Sequence, residues 1–354
     1  MGSKIWEGFK WFFLRILEFK SKSYPLSIWG SKLIIAALFY ASHLTISLTA
    51  KFGEQAELTL SNSDFQIGAT IEIIITLLVI GIGIGMIRHE LSKSARTTAR
   101  VFITGLPKMS PDFPHSLMTR TEEKKAREAV RFGSVTESEE TIRSSIKLFN
   151  EESSVQVFQR FVLHSQCEKV FIGGLARVPF LVAYGSLFRT DNAQAIYFDK
   201  FRNQGGKWQL LNEENEKVSL SYSSEDPIPN SNGDIGLALA FSTPIVESSL
   251  PSDLQGHTLM IQSNSQADRN LIKNQENLEA IVSEIVKIVD LLSAKASGSI
   301  HLFLSVQSTL AIEIGRRFQE GTHKPWVVHN YDAPNNKYNW AIKLTKDGIE
   351  LYTD

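Results

Sequence analysis

The sequence predicts an α/β domain made of two duplicated, doubly wound halves, preceded by two transmembrane helices and an amphipathic N-terminal helix. Three observations carry that reading. Residues 170–188, VFIGGLARVPFLVAYGSLF, and 298–318, GSIHLFLSVQSTLAIEIGRRF, share one order: an apolar strand, a polar turn and the start of a helix. Shifted by 130 residues without a gap, the first lies on the second, with Ile172 on Leu302, Gly185 on Gly315 and Phe188 on Phe318. Two apolar stretches, 32–50 and 68–87, are each long enough to cross a hydrocarbon layer of about 30 Å as a helix.

The elements follow in chain order. Within residues 1–27, KIWEGFKWFFLRILEFK places Ile5, Phe9, Phe12, Phe13, Ile16 and Phe19 on one helical stripe, with Lys10 and Glu18 opposite. That pattern predicts a helix lying in the membrane interface. Residues 28–93 hold the two spans and a short external loop. The first span carries no charge after Lys32, and the second carries Glu72 alone. Basic residues lie outside the pair, Lys4, Lys10, Arg15, Lys20 and Lys22 before it and Arg88, Lys93, Arg96 and Arg100 after it. The loop 51–67 sets Glu54, Glu57 and Asp64 against Lys51. By the positive-inside rule both termini are cytoplasmic. GIGIGMI is not a phosphate loop, because its glycines alternate and no Lys-Ser/Thr follows. Gly81 and Gly85, four apart, let another helix approach closely or are the ordinary glycines that membrane helices tolerate, and Glu72 pairs with Lys51 or His43, lines a water path between subunits, or reaches the interface.

Residues 94–140 are charged and proline-bearing, a linker that leads into the soluble domain, whose first strand is VFITG. The domain spans 100–354, with halves of about 100–225 and 235–354 separated by the Gly/Asn/Ser-rich break at 221–234. The segments 235–241 and 257–263 read as strands and Asn270–Ala294 as a long amphipathic helix, while AIYFDKF (195–201) lies on PWVVHNY (325–331). Continuous apolar strands alternating with helices predict a parallel sheet covered on both faces.

Ligands of open α/β sheets bind beyond the carboxyl ends of the strands. Gly173, Gly174 and Arg177 end the strand of the first half, and Ser305, Gln307, Ser308 and Thr309 end that of the second. Asp199, Lys200 and Arg202, then Asn330 and Tyr331, end the strands that follow. Together they offer small residues for close approach, cations for phosphate, and amide and aromatic groups for a base. The two halves predict a cleft for a ligand with repeated anionic units. Taken singly, Ser308 or Thr309 also reads as a helix cap and Arg177 as a solvated charge. A net charge of −1 argues against duplex DNA as a partner. The single Cys167 excludes a disulfide framework and a thiolate metal cluster. No residue set has a nuclease or protease pattern, and no metal or other cofactor is expected.

HLFLSVQSTLAIEIGRRFQEG…PWVVHNYDAPNNKYNWAIKL resembles the C-terminal signature of SAVED domains, and IGLALAFSTPI with the long helix before HLFLS fits the same pattern. The resemblance implies two fused CARF-like halves that sense a cyclic oligonucleotide, a cyclic trinucleotide, in CBASS anti-phage defence. With two N-terminal spans it implies a non-enzymatic effector in the bacterial inner membrane. Such an effector forms a homo-oligomer or filament when it binds its ligand, and disrupts the lipid bilayer to abort infection. A membrane-anchored ring nuclease that cleaves the ligand, or a constitutive structural membrane protein, stays open as an alternative. One departure concerns the ligand turn, where many members carry a proline at the position of Gln307 or Ser308.

Overall fold

A computed structural model describes residues 26, 28–38, 63–96, 98–105, 130–133, 138–153, 169–188, 194–201, 206–214, 217–222, 227–319 and 321–353. The chain forms two compact units, Met1–Ala95 and Arg96–Asp354.

In the first unit, helix α1 spans Ile28–Leu38 and helix α2 spans Ser63–Arg96. Within α2, Ile73–Leu91 has a mean hydropathy of 1.8 and only 11% of that window is buried, so Ile73, Ile74, Leu77, Leu78, Ile82 and Ile84 are exposed while one stripe through Thr76 and Gly83 is covered. Among the described residues this is the one helix long and apolar enough to cross a membrane. The other predicted span is described only through Leu38, where α1 is too short to cross. The rest of that span and nearly all of the interfacial helix lie outside the described residues. Glycine sets the contact between α1 and α2. A Cβ on Gly30 would lie 2.6 Å from the Gly83 carbonyl oxygen, and one on Gly83 would lie 2.7 Å from that of Gly30. The flanking Gly81 and Gly85 are exposed, with nothing within 4 Å of a Cβ at either. Gly83, not the predicted pair, therefore serves the contact within the chain. Glu72 falls inside α2, but its side chain is outside the described residues.

The second unit repeats one topology. Strands β1 (Thr98–Thr104), β2 (Val130–Gly133), β3 (Lys169–Leu175), β4 (Gln194–Phe201) and β5 (Lys207–Leu210) form a sheet in the order β2-β1-β3-β4-β5. The second sheet contains β6 (Leu220–Tyr222), β7 (Ile235–Ala240), β8 (Thr258–Ser263), β9 (Ile300–Ser305), β10 (Trp326–Asp332), β11 (Lys337–Thr345) and β12 (Gly348–Tyr352). Its order is β12-β11-β10-β9-β7-β8-β6, so its centre reads β8-β7-β9-β10-β11, the order of the first sheet. In each half three pairings are parallel and the last, β4 with β5 or β10 with β11, is antiparallel. Strand β6 pairs with β8, so it belongs to the second half although it precedes the predicted boundary.

Helices α3 (Glu139–Leu148), α4 (Val178–Ser186), α5 (Gln275–Lys295) and α6 (Ser308–Arg316) complete the unit. Asn274 caps α5 by accepting the Asn277 N–H at 2.8 Å, so the long helix begins at Gln275, five residues later than its apolar pattern predicts. Helices α4 and α6 cross on each other, reciprocally. A Cβ on Gly185 would lie 2.1 Å from the Ile312 carbonyl oxygen, and one on Gly315 would lie 2.0 Å from that of Val182. These positions are related by the 130-residue shift, so the crossing marks the pseudo-twofold axis. One apolar core, including Phe180, Tyr184, Leu310 and Ile314, runs through both halves.

The shift changes by one residue beyond the helices. Ile172 pairs with Tyr197, but Leu302 pairs with Val328, so Tyr197 corresponds to Val328 and Asp199 to Asn330. The gapless match is therefore corrected by one residue. The change matters because a single-residue slip in a strand exchanges its two faces.

Candidate functional site

The carboxyl ends of both sheets line one cleft of about 630 Å³. From the first half come Arg177, just after β3, and Asp199 and Lys200 at the end of β4. From the second come Ser305, Gln307 and Ser308 after β9, and Asn330 and Tyr331 in β10. These eight predicted residues are brought together although more than 150 positions separate the first from the last. Arg177 and Gln307 are the N-cap residues of α4 and α6, both with extended backbone and neither with a side-chain cap.

Several of these residues are committed to holding the cleft's shape. Asp199 is buried in β4, and its Oδ2 accepts the Thr309 N–H at 3.3 Å and the Thr309 hydroxyl at 3.1 Å. A carboxylate of the first half thus caps the helix of the second, with the Lys200 N–H on its other oxygen at 2.7 Å. Burial pushes its carboxyl above the ordinary range, and the Lys200 and Thr309 N–H groups oppose that shift. Gln307 is also bound at both ends. Its oxygen accepts the Ile272 N–H at 3.1 Å, and its amide nitrogen donates to the Ile272 carbonyl at 3.0 Å. Ser305 holds the loop after β7, its hydroxyl accepting the Thr243 N–H at 3.0 Å.

Four predicted ligand contacts are corrected by this geometry. Gly173 and Gly174 lie buried inside β3. A Cβ on Gly173 would meet the Phe198 ring at 2.3 Å, and one on Gly174 would meet Ile103 and Leu181 at 3.0 Å. Gly173 makes room for the Phe198 ring of β4, and Gly174 for Ile103 of β1 and Leu181 of α4, so their small size serves packing. Thr309 is fully buried on Asp199, and the Gln307 amide is held by the Ile272 backbone and by the Asp199 carboxyl. Both position the turn. Arg202 lies outside the described residues.

The structure adds groups that the sequence pattern missed. Arg269, exposed and carried by the segment between β8 and α5, gives the cleft a third cation beside Arg177 and Lys200. Tyr338 of β11 faces Tyr331, their ring centroids 5.4 Å apart, and Tyr331 donates its hydroxyl hydrogen to Asn336 at 2.5 Å. Asn336 sits at φ 51°, a turn conformation that asparagine tolerates. Tyr338 packs edge-on against Phe303, and burial followed by the neighbouring Tyr331 pushes its phenol well up. Asn330 donates to Asn339 at 3.2 Å. His329 joins the same ring cluster, stacked on Phe303 and 2.9 Å from His301. Burial, then His301, holds it well below the ordinary histidine range. Among the described residues no group of three His, Cys, Asp or Glu side chains is placed to hold a metal ion. The cleft presents cations, hydroxyls, amides and a pair of aromatic rings, a set suited to a ligand of phosphates and bases.

Comparison with known proteins identifies a family. The family model described as "SMODS-associated and fused to various effectors sensor domain" (SAVED) matches residues 149–344. No curated protein matches the chain. Among solved structures, the Acinetobacter baumannii Cap4 SAVED/CARF-domain containing receptor with the cyclic trinucleotide 2'3'3'-cAAA is similar at 14% identity and a TM-score of 0.47. The match covers 79% of this chain and 61% of that one. A second structure of the Acinetobacter baumannii Cap4 SAVED/CARF-domain containing receptor matches at 13% identity and a TM-score of 0.44, covering 92% of this chain and 76% of that one. A Moraxella osloensis Cap4 receptor matches at 13% identity and a TM-score of 0.42, covering 80% and 59%. This chain thus spans about three fifths of the first of these receptors.

Proposed function

Because the chain belongs to the SAVED family of sensor domains, we propose that it senses a cyclic oligonucleotide, a cyclic trinucleotide, in the cleft between its two halves. The observation that carries this reading is the cleft itself. Both pseudo-symmetric halves contribute to it, and Arg177, Lys200 and Arg269 stand around Tyr331 and Tyr338. Cations satisfy phosphates, the tyrosines stack bases, and two related halves suit a ligand with repeated units.

On this reading the first unit is the effector. The chain is a multi-pass protein of the bacterial inner membrane with both termini in the cytoplasm, and it acts without catalysis. Ligand binding brings chains together, and the assembled apolar helices disrupt the bilayer and abort phage infection. The support is the apolar surface of α2, continuous over Ile73–Leu91, joined to a sensor that has room for a signal.

The test is calorimetry of the full chain in detergent against cyclic di-, tri- and tetranucleotides. One cyclic trinucleotide should bind tightly, and at a hundredfold excess over Kd it should stabilise the fold by about 2.7 kcal/mol. Arg177→Gln and Lys200→Gln should each weaken binding about tenfold, with a shallower salt dependence than the parent chain. Affinity for none of the ligands would refute the sensor reading. Unchanged affinity in both variants would place the ligand elsewhere.

A further inference from the structure

A second cavity, of about 890 Å³, opens at the amino end of β10, opposite the cleft. Arg316 and Arg317 at the end of α6 and Lys346 in the turn between β11 and β12 line it, around Glu313. Glu313 is 2% exposed and holds both guanidinium groups. It accepts from Arg316 Nη1 at 3.0 Å and Arg317 Nε at 2.9 Å, and the Tyr197 hydroxyl of the first half donates to it as well. One carboxylate thus fixes two arginines, and with Lys346 the cavity keeps a surplus of about two positive charges. His323 adds no free donor, since its Nδ1 accepts the Gln319 N–H at 3.1 Å and its Nε2 pairs with Asp290 at 3.0 Å.

The duplication provides an internal control. At the 130-residue shift, the end of α4 carries Ala183, Ser186 and Leu187 where α6 carries Glu313, Arg316 and Arg317. The fold therefore builds this helix end without charges. Cations at a helix C-terminus complement its dipole, which accounts for the two arginines but not for Lys346, which comes from another element.

We propose that this cavity binds a phosphate group, supplied by the headgroup of an anionic phospholipid or by a soluble phosphate compound. The pre-aligned arginine forks match phosphate oxygens, and the lysine adds a point charge. The proposal stands independently of the cleft's ligand.

Its test uses the full chain in a neutral detergent. Melting and binding are followed on adding phosphatidylglycerol, phosphatidylcholine or inorganic pyrophosphate. Arg317→Gln combined with Lys346→Gln, both on exposed positions, removes two donors and leaves the buried Arg316–Glu313–Tyr197 contacts in place; Arg177→Gln serves as the cleft control. Phosphatidylglycerol or pyrophosphate should bind, and the double variant, folded and melting cooperatively though somewhat lower for want of the Arg317–Glu313 pair, should bind at least about tenfold more weakly. Response to the anionic lipid alone assigns the source to the membrane, and response to pyrophosphate alone assigns it to solution. No response to either overturns the proposal. So does a double variant that binds as tightly as the parent, or a response lost on Arg177→Gln, which belongs to the cleft.

Discussion

Asp199 has two opposing energetic roles, and pH separates them. Its buried carboxyl is raised in the folded chain, so the fold binds a proton there more readily than the unfolded chain does. The stability linked to that proton is complete below the ordinary carboxyl pKa of about 3.9 and is lost as pH rises through the folded value. Asp199→Asn keeps an acceptor for Thr309 and removes the titration. The variant should therefore gain stability relative to the parent chain as pH rises from about 4 to 7, as read from paired melting curves. A constant difference across that range would mean that the carboxyl titrates alike in both states. Asp199→Ala, which leaves the two Thr309 donors without their acceptor, should cost about 1–3 kcal/mol near pH 4 and less as pH rises, since it too removes the titration. The cleft cations differ in kind: Arg177 and Arg269 are exposed, so they contribute little to the fold.

At the scale of elements, the α4–α6 crossing fixes the angle between the halves and so the width of the cleft. Gly185→Ala or Gly315→Ala would place a methyl about 2 Å from a backbone oxygen. The helices would have to separate, which costs about 1–3 kcal/mol or more. Gly81→Ala meets nothing and should leave the melting temperature within about 1 °C of the parent. Denaturant unfolding of the three variants checks the contrast; equal stabilities would show that the crossing does not carry the fold. The crossing also explains what the sequence disclosed. Apolar runs, paired glycines and the turn residues Arg177 and Gln307 recur at one spacing because both halves meet the same packing problem. The residues that finish the cleft do not recur. Arg269 and Thr243 come from irregular segments of the second half, and Tyr338 from an antiparallel strand whose neighbours set no pattern. Gly173 and Gly174 were misleading because a glycine near a strand end reads alike whether it admits a ligand or a phenylalanine ring. The commitments of Thr309 and Gln307 were hidden because their partners lie 110 and 35 residues away.

For the whole molecule, the question is how occupancy of a cleft could reach a bilayer. One chain with one or two apolar helices encloses no pore, so damage on the proposed reading requires several chains. A ligand drives assembly only if it binds the assembled form more tightly than the single chain. An open cleft between two pseudo-symmetric halves permits that, because a second chain can close over the ligand, and a head-to-tail contact of this kind grows into rings or filaments. In the apolar unit, Gly83 is already used against Gly30, whereas Gly81 and Gly85 have open space around them. Gly85→Leu therefore fits the single chain, and any effect it has reports on a neighbouring chain. The variant should bind the cyclic ligand with unchanged affinity and release markedly less dye from vesicles containing the full chain. Native mass measurement of the parent chain, with and without saturating ligand, tests the step before it. An unchanged mass at saturation would sink the assembly mechanism whatever the affinity, and undiminished leakage from Gly85→Leu would move the helix contact to another face of α2.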